Sequence, residues 1–314
     1  MATDTTLTTG KSLPATHPED YYTKPLGTAA VFGCRAEASF RYDGPTDENM
    51  TSWSTSIVST HDSIEQVFVP DPFTVDRDAA PEARIIALIE RRRKRMDGKT
   101  EPYAAVQIAV PVVYTDSMGV SHRGSYAMEY VSSANAQDQT SVGSWLPVYG
   151  QTFGCYKPLA NIYIQPDGDD VVDIYVDRLG KRVMSMSFTR GEEVVDSGNP
   201  FGGEGRSTTF TLREIPNVNF TAYTERSVCV KEGFTTPPKK FFHATARVEL
   251  ANDDVYQLGD LVRTGLGDTF VSVQEITKED YVDHYVLEYL PVDEAPLTES
   301  QKNGSALFVG DTRR

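Results

Sequence analysis

The stretch VYGQTFGCYKPLANIYI, residues 148–164, carries one charged side chain, Lys157. Around it stand Phe153, Cys155, Tyr156, Leu159 and Ile162. Lysine is rarely fully buried unless it has a partner. An amine in apolar surroundings is desolvated, which disfavours its charged form and can make it a nucleophile toward a carbonyl. Free lysine titrates near 10.4, so only about one amine in a thousand is neutral at pH 7. A reactive amine therefore needs burial or a second cation beside it. The plainer reading is a surface lysine next to a turn-forming Pro158.

Other residues could serve the same pocket. On an extended chain Cys155 shares a face with Lys157, as a thiol in the pocket or as a small buried filler. Gln151 could hydrogen-bond a substrate carbonyl or act as a polar turn residue. Tyr103, Arg123 and Glu129 lie on candidate neighbouring strands and could reach in, cross-strand or surface pairing being the plainer role for each. The five histidines, His17, His61, His122, His243 and His284, contain no pair at ligand spacing, so neither a metal nor another cofactor is expected. The G-x-G of NPFGGEGRS (199–207) opens no helical pattern and reads as a hairpin loop rather than a phosphate cradle.

Strands must position these groups. VQIAVPVVYT (106–115), GSYAMEYVSS (124–133), LANIYIQP (159–166), DVVDIYVDRL (170–179), RVMSMSFTR (182–190), STTFTLREI (207–215) and HATARVEL (243–250) are short and β-branched or aromatic. Each is bounded by turn residues. Their spacing predicts a mostly antiparallel sheet or barrel. PEARIIALIERRRKRMDG (81–98) reads as the one clear helix, with Pro81 and Glu82 at its start and a basic turn before Gly98. A shorter helical turn is expected at Asp62–Phe68. Residues 1–50 read as a polar arm, 51–291 as one domain and 292–314 as a tail.

The bulk numbers narrow the function. The 314 residues carry a net charge of −15, with 39% hydrophobic and 24% charged residues. So acidic a surface repels phosphate backbones and anionic membranes, and neither is an expected partner. No apolar run reaches the roughly 20 residues of a membrane span, and the N-terminal residues lack the apolar core of a secretory signal. Three scattered cysteines, Cys34, Cys155 and Cys229, make no disulfide framework. The expectation is a cytoplasmic protein.

Five phrases in order resemble the acetoacetate decarboxylase superfamily: STHDSIEQVFVPDPFTVD (59–76), PYAAVQIAVPV (102–112), YGQTFGCYKPLANI (149–162), TLREIPNVN (211–219) and the closing segment 246–290. The resemblance implies a mainly β, α+β fold, an antiparallel barrel-like β-cone with few short helices. It also implies a homo-oligomer. Lys157 falls on the family's Schiff-base lysine, and Pro216-Asn217 on a later "PN". The departures are informative. Pro158 replaces the second lysine of the family's pair, Gly150-Gln151 replace an Arg-Glu, and Ala105 replaces a carboxylate. No arginine stands near Thr51, and the other pocket glutamate falls at Glu82 or Glu90. In acetoacetate decarboxylase the lysine is activated by a hydrophobic pocket or a second cation; with Pro158 in place, desolvation has to act alone. The implied function is a lyase or cyclase acting through Lys157 on a small carbonyl compound larger than acetoacetate, in secondary metabolism. A non-covalent cyclase cage and an inactive small-molecule-binding protein stay open as alternatives.

Overall fold

The computed structural model describes residues 40–41, 48–94, 99–132, 154, 157–168, 170–194, 206–216, 223–234, 240–253, 256–276 and 281–292. Its strands are β1 (Phe40–Arg41), β2 (Glu48–Val58), β3 (Thr74–Val75), β4 (Glu82–Lys94), β5 (Thr100–Thr115), β6 (Ser121–Ser132) and β7 (Leu159–Asp167). They continue with β8 (Val171–Arg178), β9 (Lys181–Glu193), β10 (Arg206–Pro216), β11 (Tyr223–Phe234), β12 (Lys240–Leu250), β13 (Gly265–Ile276) and β14 (Tyr281–Leu290). Between β2 and β3 runs α1 (His61–Phe68).

Strand β6 pairs with both β5 and β7, so the order β6-β7-β8-β9-β12-β13-β2-β4-β5 returns to β6 and closes a ring. The register then sorts side chains by face, because opposed residues point the same way. Trp53, Ala87, Val106 and Tyr130 are successive partners across β2, β4, β5 and β6. All four belong to one buried cluster with Ile174 and Val176 of β8 and Met184, Met186 and Phe188 of β9. Only the inside of a closed ring brings these strands to one core. Ser52, Leu88, Ala105, Val131 and Leu159 form the corresponding row on the outside.

Helix α1 packs into this core. Thr60 caps it, accepting from Ser63 N at 3.2 Å, and Asp62 sits in its first turn, where the helix dipole favours an anion. Ile64 and Phe68, four residues apart and so on one helical face, are buried in the ring's cluster. Each contributes roughly 1.5–3 kcal/mol by leaving water.

A side sheet, β10-β11-β14-β1, branches from β6. Its Phe210, Val228 and Val230 join the core, the Phe210 ring packing tilted against Phe73 at 5.7 Å between centroids.

All seven strands read from the sequence are present, and the sheet is mainly antiparallel. Its parallel contacts are those of β6 with β7 and β10. The helical turn at 62–68 is α1. The expected helix at 81–98 is corrected to β4. Ala83, Ile85 and Ala87 are fully buried while Arg84, Ile86 and Leu88 between them are half-buried, a period of two. The run IIALI fits either period on its own; the ladders from β2 and β5 on both sides decide for the strand. Strand β2 begins at Glu48, and β1 pairs with β14, both inside the segment read as an arm. The rest of that arm, most of the tail at 292–314 and the loop at 199–205 lie outside the described residues.

Candidate functional site

The site grows from a short parallel junction. Val131 and Ser132 of β6 pair with Leu159 and Ala160 of β7, and Val131 N donates to Pro158 O at 3.0 Å. Two residues back along each chain, on the same outer face, Glu129 meets Lys157. Lys157 Nζ donates to Glu129 Oε2, forming an ion pair whose side chains are only 12% and 11% exposed. Tyr103 of β5 donates its hydroxyl to the other carboxylate oxygen, Glu129 Oε1, at 2.8 Å. Opposite Tyr103 on β4 stands Glu90, buried at 2% exposure.

Gly154, three residues before Lys157, lies close against β10. Strands β6 and β10 pair only at Ser125–Tyr126 and Thr209–Phe210. Farther along, Gly154 packs against the backbone of β10. A Cβ there would stand 2.5 Å from Arg213 N and 2.7 Å from Leu212 C, and the φ of +74° is itself one that L side chains rarely adopt.

Burial pushes the Glu129 carboxyl up. The charges of Lys157 and of Lys231 on β11, with hydrogen bonds from Lys157 and Tyr103, outweigh this and hold it below the usual glutamate value. Glu129 is therefore an anion with two cations within electrostatic reach. On the same outer face of the side sheet, Arg213 pairs with Glu225 and donates to Ser227 Oγ at 3.2 Å. Burial pushes the nearby Cys229 thiol up, so it is a neutral thiol at pH 7.

The structure thus brings together Lys157, Tyr103 and Glu129, with Glu90 on the strand beside Tyr103. It does not bring in Arg123. That residue lies six positions from Glu129 along β6, about 20 Å at the strand rise. It pairs at the surface with Asp78 and, at 3.3 Å, with Asp76. Gln151 and Cys155 lie outside the described residues. The run around Lys157 is uncharged in sequence, and the fold brings charged residues to it from β6 and β11. Lys231 went unnoticed in the sequence. Its one available signal was a cation closing the apolar run SVCV.

A closed β-ring with a branching side sheet is the acetoacetate decarboxylase-like fold. An acetoacetate decarboxylase structure matches at a TM-score of 0.60 and 16% identity, over 78% of this chain and 90% of the other. An acetoacetate decarboxylase-like enzyme from Sphingomonas wittichii matches at 0.54 and 13%, over 81% and 100%. The enduracididine biosynthesis enzyme MppR matches at 0.53 and 12%, over 77% and 86%. At these identities the likeness establishes the fold. No known family pattern and no curated protein matches the sequence.

Proposed function

We propose that this chain is an enzyme of the acetoacetate decarboxylase-like superfamily, a lyase or cyclase that acts on a small keto compound through Lys157. The observation that supports it is the buried Lys157–Glu129 pair with Tyr103 on its second oxygen. The ammonium first passes a proton to Glu129. The free amine adds to the carbonyl carbon, whose oxygen takes up a proton, and the carbinolamine expels water to leave an iminium. The iminium withdraws electrons from the adjacent carbon, which serves decarboxylation, aldol chemistry or dehydration alike. Lys231, whose charge acts on Glu129, is a second cation at the site, where the family resemblance would put a lysine at position 158. MppR has been solved with the condensation product of pyruvate and an aldehyde, so carbon–carbon bond chemistry of this kind, in secondary metabolism, is the reading carried over.

One observation favours a second reading. Glu129 is ionised and paired, which keeps the proton on Lys157. In a non-covalent cage the ammonium would donate to a carbonyl or enolate oxygen throughout. Incubation with pyruvate or a β-keto acid followed by borohydride separates the two. The covalent reading expects added mass on Lys157. Turnover without any adduct there, retained in part by Lys157→Arg, supports the cage. Full activity in both Lys157→Arg and Lys157→Met overturns both readings.

A further inference from the structure

A buried polar network lies on the inner face of the ring, directly behind the Lys157–Glu129 pair. Asp253, between β12 and β13, accepts from Tyr130 Oη at 2.8 Å through Oδ2 and from Tyr256 N through Oδ1. Arg178, at the end of β8, brings Nε to 3.9 Å from Asp253 Oδ2 and donates from Nη1 to Leu159 O at 3.0 Å. The two charged side chains are 5% and 2% exposed. The Tyr130 ring meets Tyr256 edge-on, with centroids 5.3 Å apart.

The anchoring points matter. Tyr130 directly follows Glu129, and Leu159 lies two residues beyond Lys157. The series Tyr130–Asp253–Arg178–Leu159 therefore ties the strand carrying the carboxylate to the strand carrying the amine, from the side opposite to both. Among the described residues, the backbone pairing of β6 with β7 is two residue pairs long. A buried ion pair is also a poor way to gain stability. Its desolvation cost commonly cancels its attraction, and apolar residues of similar volume do as well or better.

We infer that Asp253, Arg178 and Tyr130 are positioning residues: they hold the short β6–β7 junction at the spacing that seats the Lys157 ammonium on Glu129. The inference rests on Lys157 being the working amine of the proposed function. Lys157, Lys231 and Tyr103 face Glu129 from the outer side, and Asp253 and Arg178 lie behind it.

The test uses full-length Tyr130→Phe, Asp253→Asn and Arg178→Lys with two readouts. One is the titration of the Glu129 carboxyl by 13C NMR, assigned with Glu129→Gln. The other is the rate at which pyruvate is trapped on Lys157 by borohydride. With the junction loosened, Glu129 stays buried while its partner withdraws, so its titration moves to higher pH than in the wild type. Trapping falls on the order of tenfold or more, as misplacement of a reacting group does. Arg178→Lys, which keeps the charge but not the fork, falls between wild type and Asp253→Asn. An unchanged Glu129 titration and unchanged trapping in folded Tyr130→Phe and Asp253→Asn overturn the inference, even if their melting temperatures drop. If Asp253→Asn does not fold, Tyr130→Phe, which lacks one hydroxyl, decides. If the wild type traps no keto acid, the covalent reading fails, and the Glu129 titration still judges the bracing alone.

Discussion

Glu129 and Lys157 are side-by-side neighbours across a parallel strand junction, although 28 positions separate them in the chain. Their meeting follows from register: Val131 pairs with Leu159, and two steps back along both strands the side chains return to the same face. The lysine thereby gains a counter-charge that its own segment lacks.

Removing that counter-charge should be costly twice over. Glu129→Gln takes away the acceptor for the Lys157 proton, and loss of a positioned base typically costs 10²-fold or more in rate (about 10²–10⁴). It also breaks a buried ion pair by removing one partner, a loss of roughly 3–5 kcal/mol. Turnover and urea unfolding of the same variant read the two effects separately.

Acid should act through the same carboxyl. Its folded pKa is depressed below the unfolded value. Its contribution to stability is therefore complete above the ordinary glutamate pKa, about 4.3, and disappears as pH falls through the lower folded value. Wild-type melting temperature should decline through this range. Glu129→Gln should start lower at neutral pH and show a flatter acid limb. Parallel curves for the two proteins would refute the linkage.

Tyr103→Phe deletes one hydrogen bond to a charged acceptor and little volume. A loss of about 1.5–3 kcal/mol in denaturant unfolding is expected, because the buried Glu129 Oε1 loses this donor. Turnover should fall less than in Glu129→Gln, since the base itself remains.

Gly154→Ala tests the wedge beside β10. The added methyl would overlap the Arg213 and Leu212 backbone, and the positive φ adds strain of order 1 kcal/mol. Lys157 lies three residues on, so borohydride trapping should fall more than the change in melting temperature alone would account for. Wild-type trapping in this variant would show that the segment adjusts without moving the amine.

The chain is expected to self-associate. Tyr289 and Ile215, on β14 and β10 of the side sheet, are 66% and 41% exposed, apolar surface on an otherwise acidic protein. Light scattering at micromolar concentration should give at least twice 34.8 kDa, and Tyr289→Glu should lower it. A monomer would refute the assembly.

By itself, the sequence determined the local alternations and the residue chemistry. RVMSMSF alternates apolar and polar residues, and in β9 it buries Val183, Met184, Met186 and Phe188. The Thr60 cap and the Ile64–Phe68 spacing made α1 legible, and a lysine in an uncharged run marked Lys157. Only the tertiary structure decided what these elements meet. Residues 82–94 satisfy helical and extended patterns equally until β2 and β5 take up their backbone hydrogen bonds. Glu129 was one of several charged residues on a strand until the β6–β7 register chose its partner. Lys231 reaches the site from β11 through the side sheet. The reason is common to all three: side-chain periodicity is a property of consecutive residues, whereas strand order and register are set by which distant faces can be buried together.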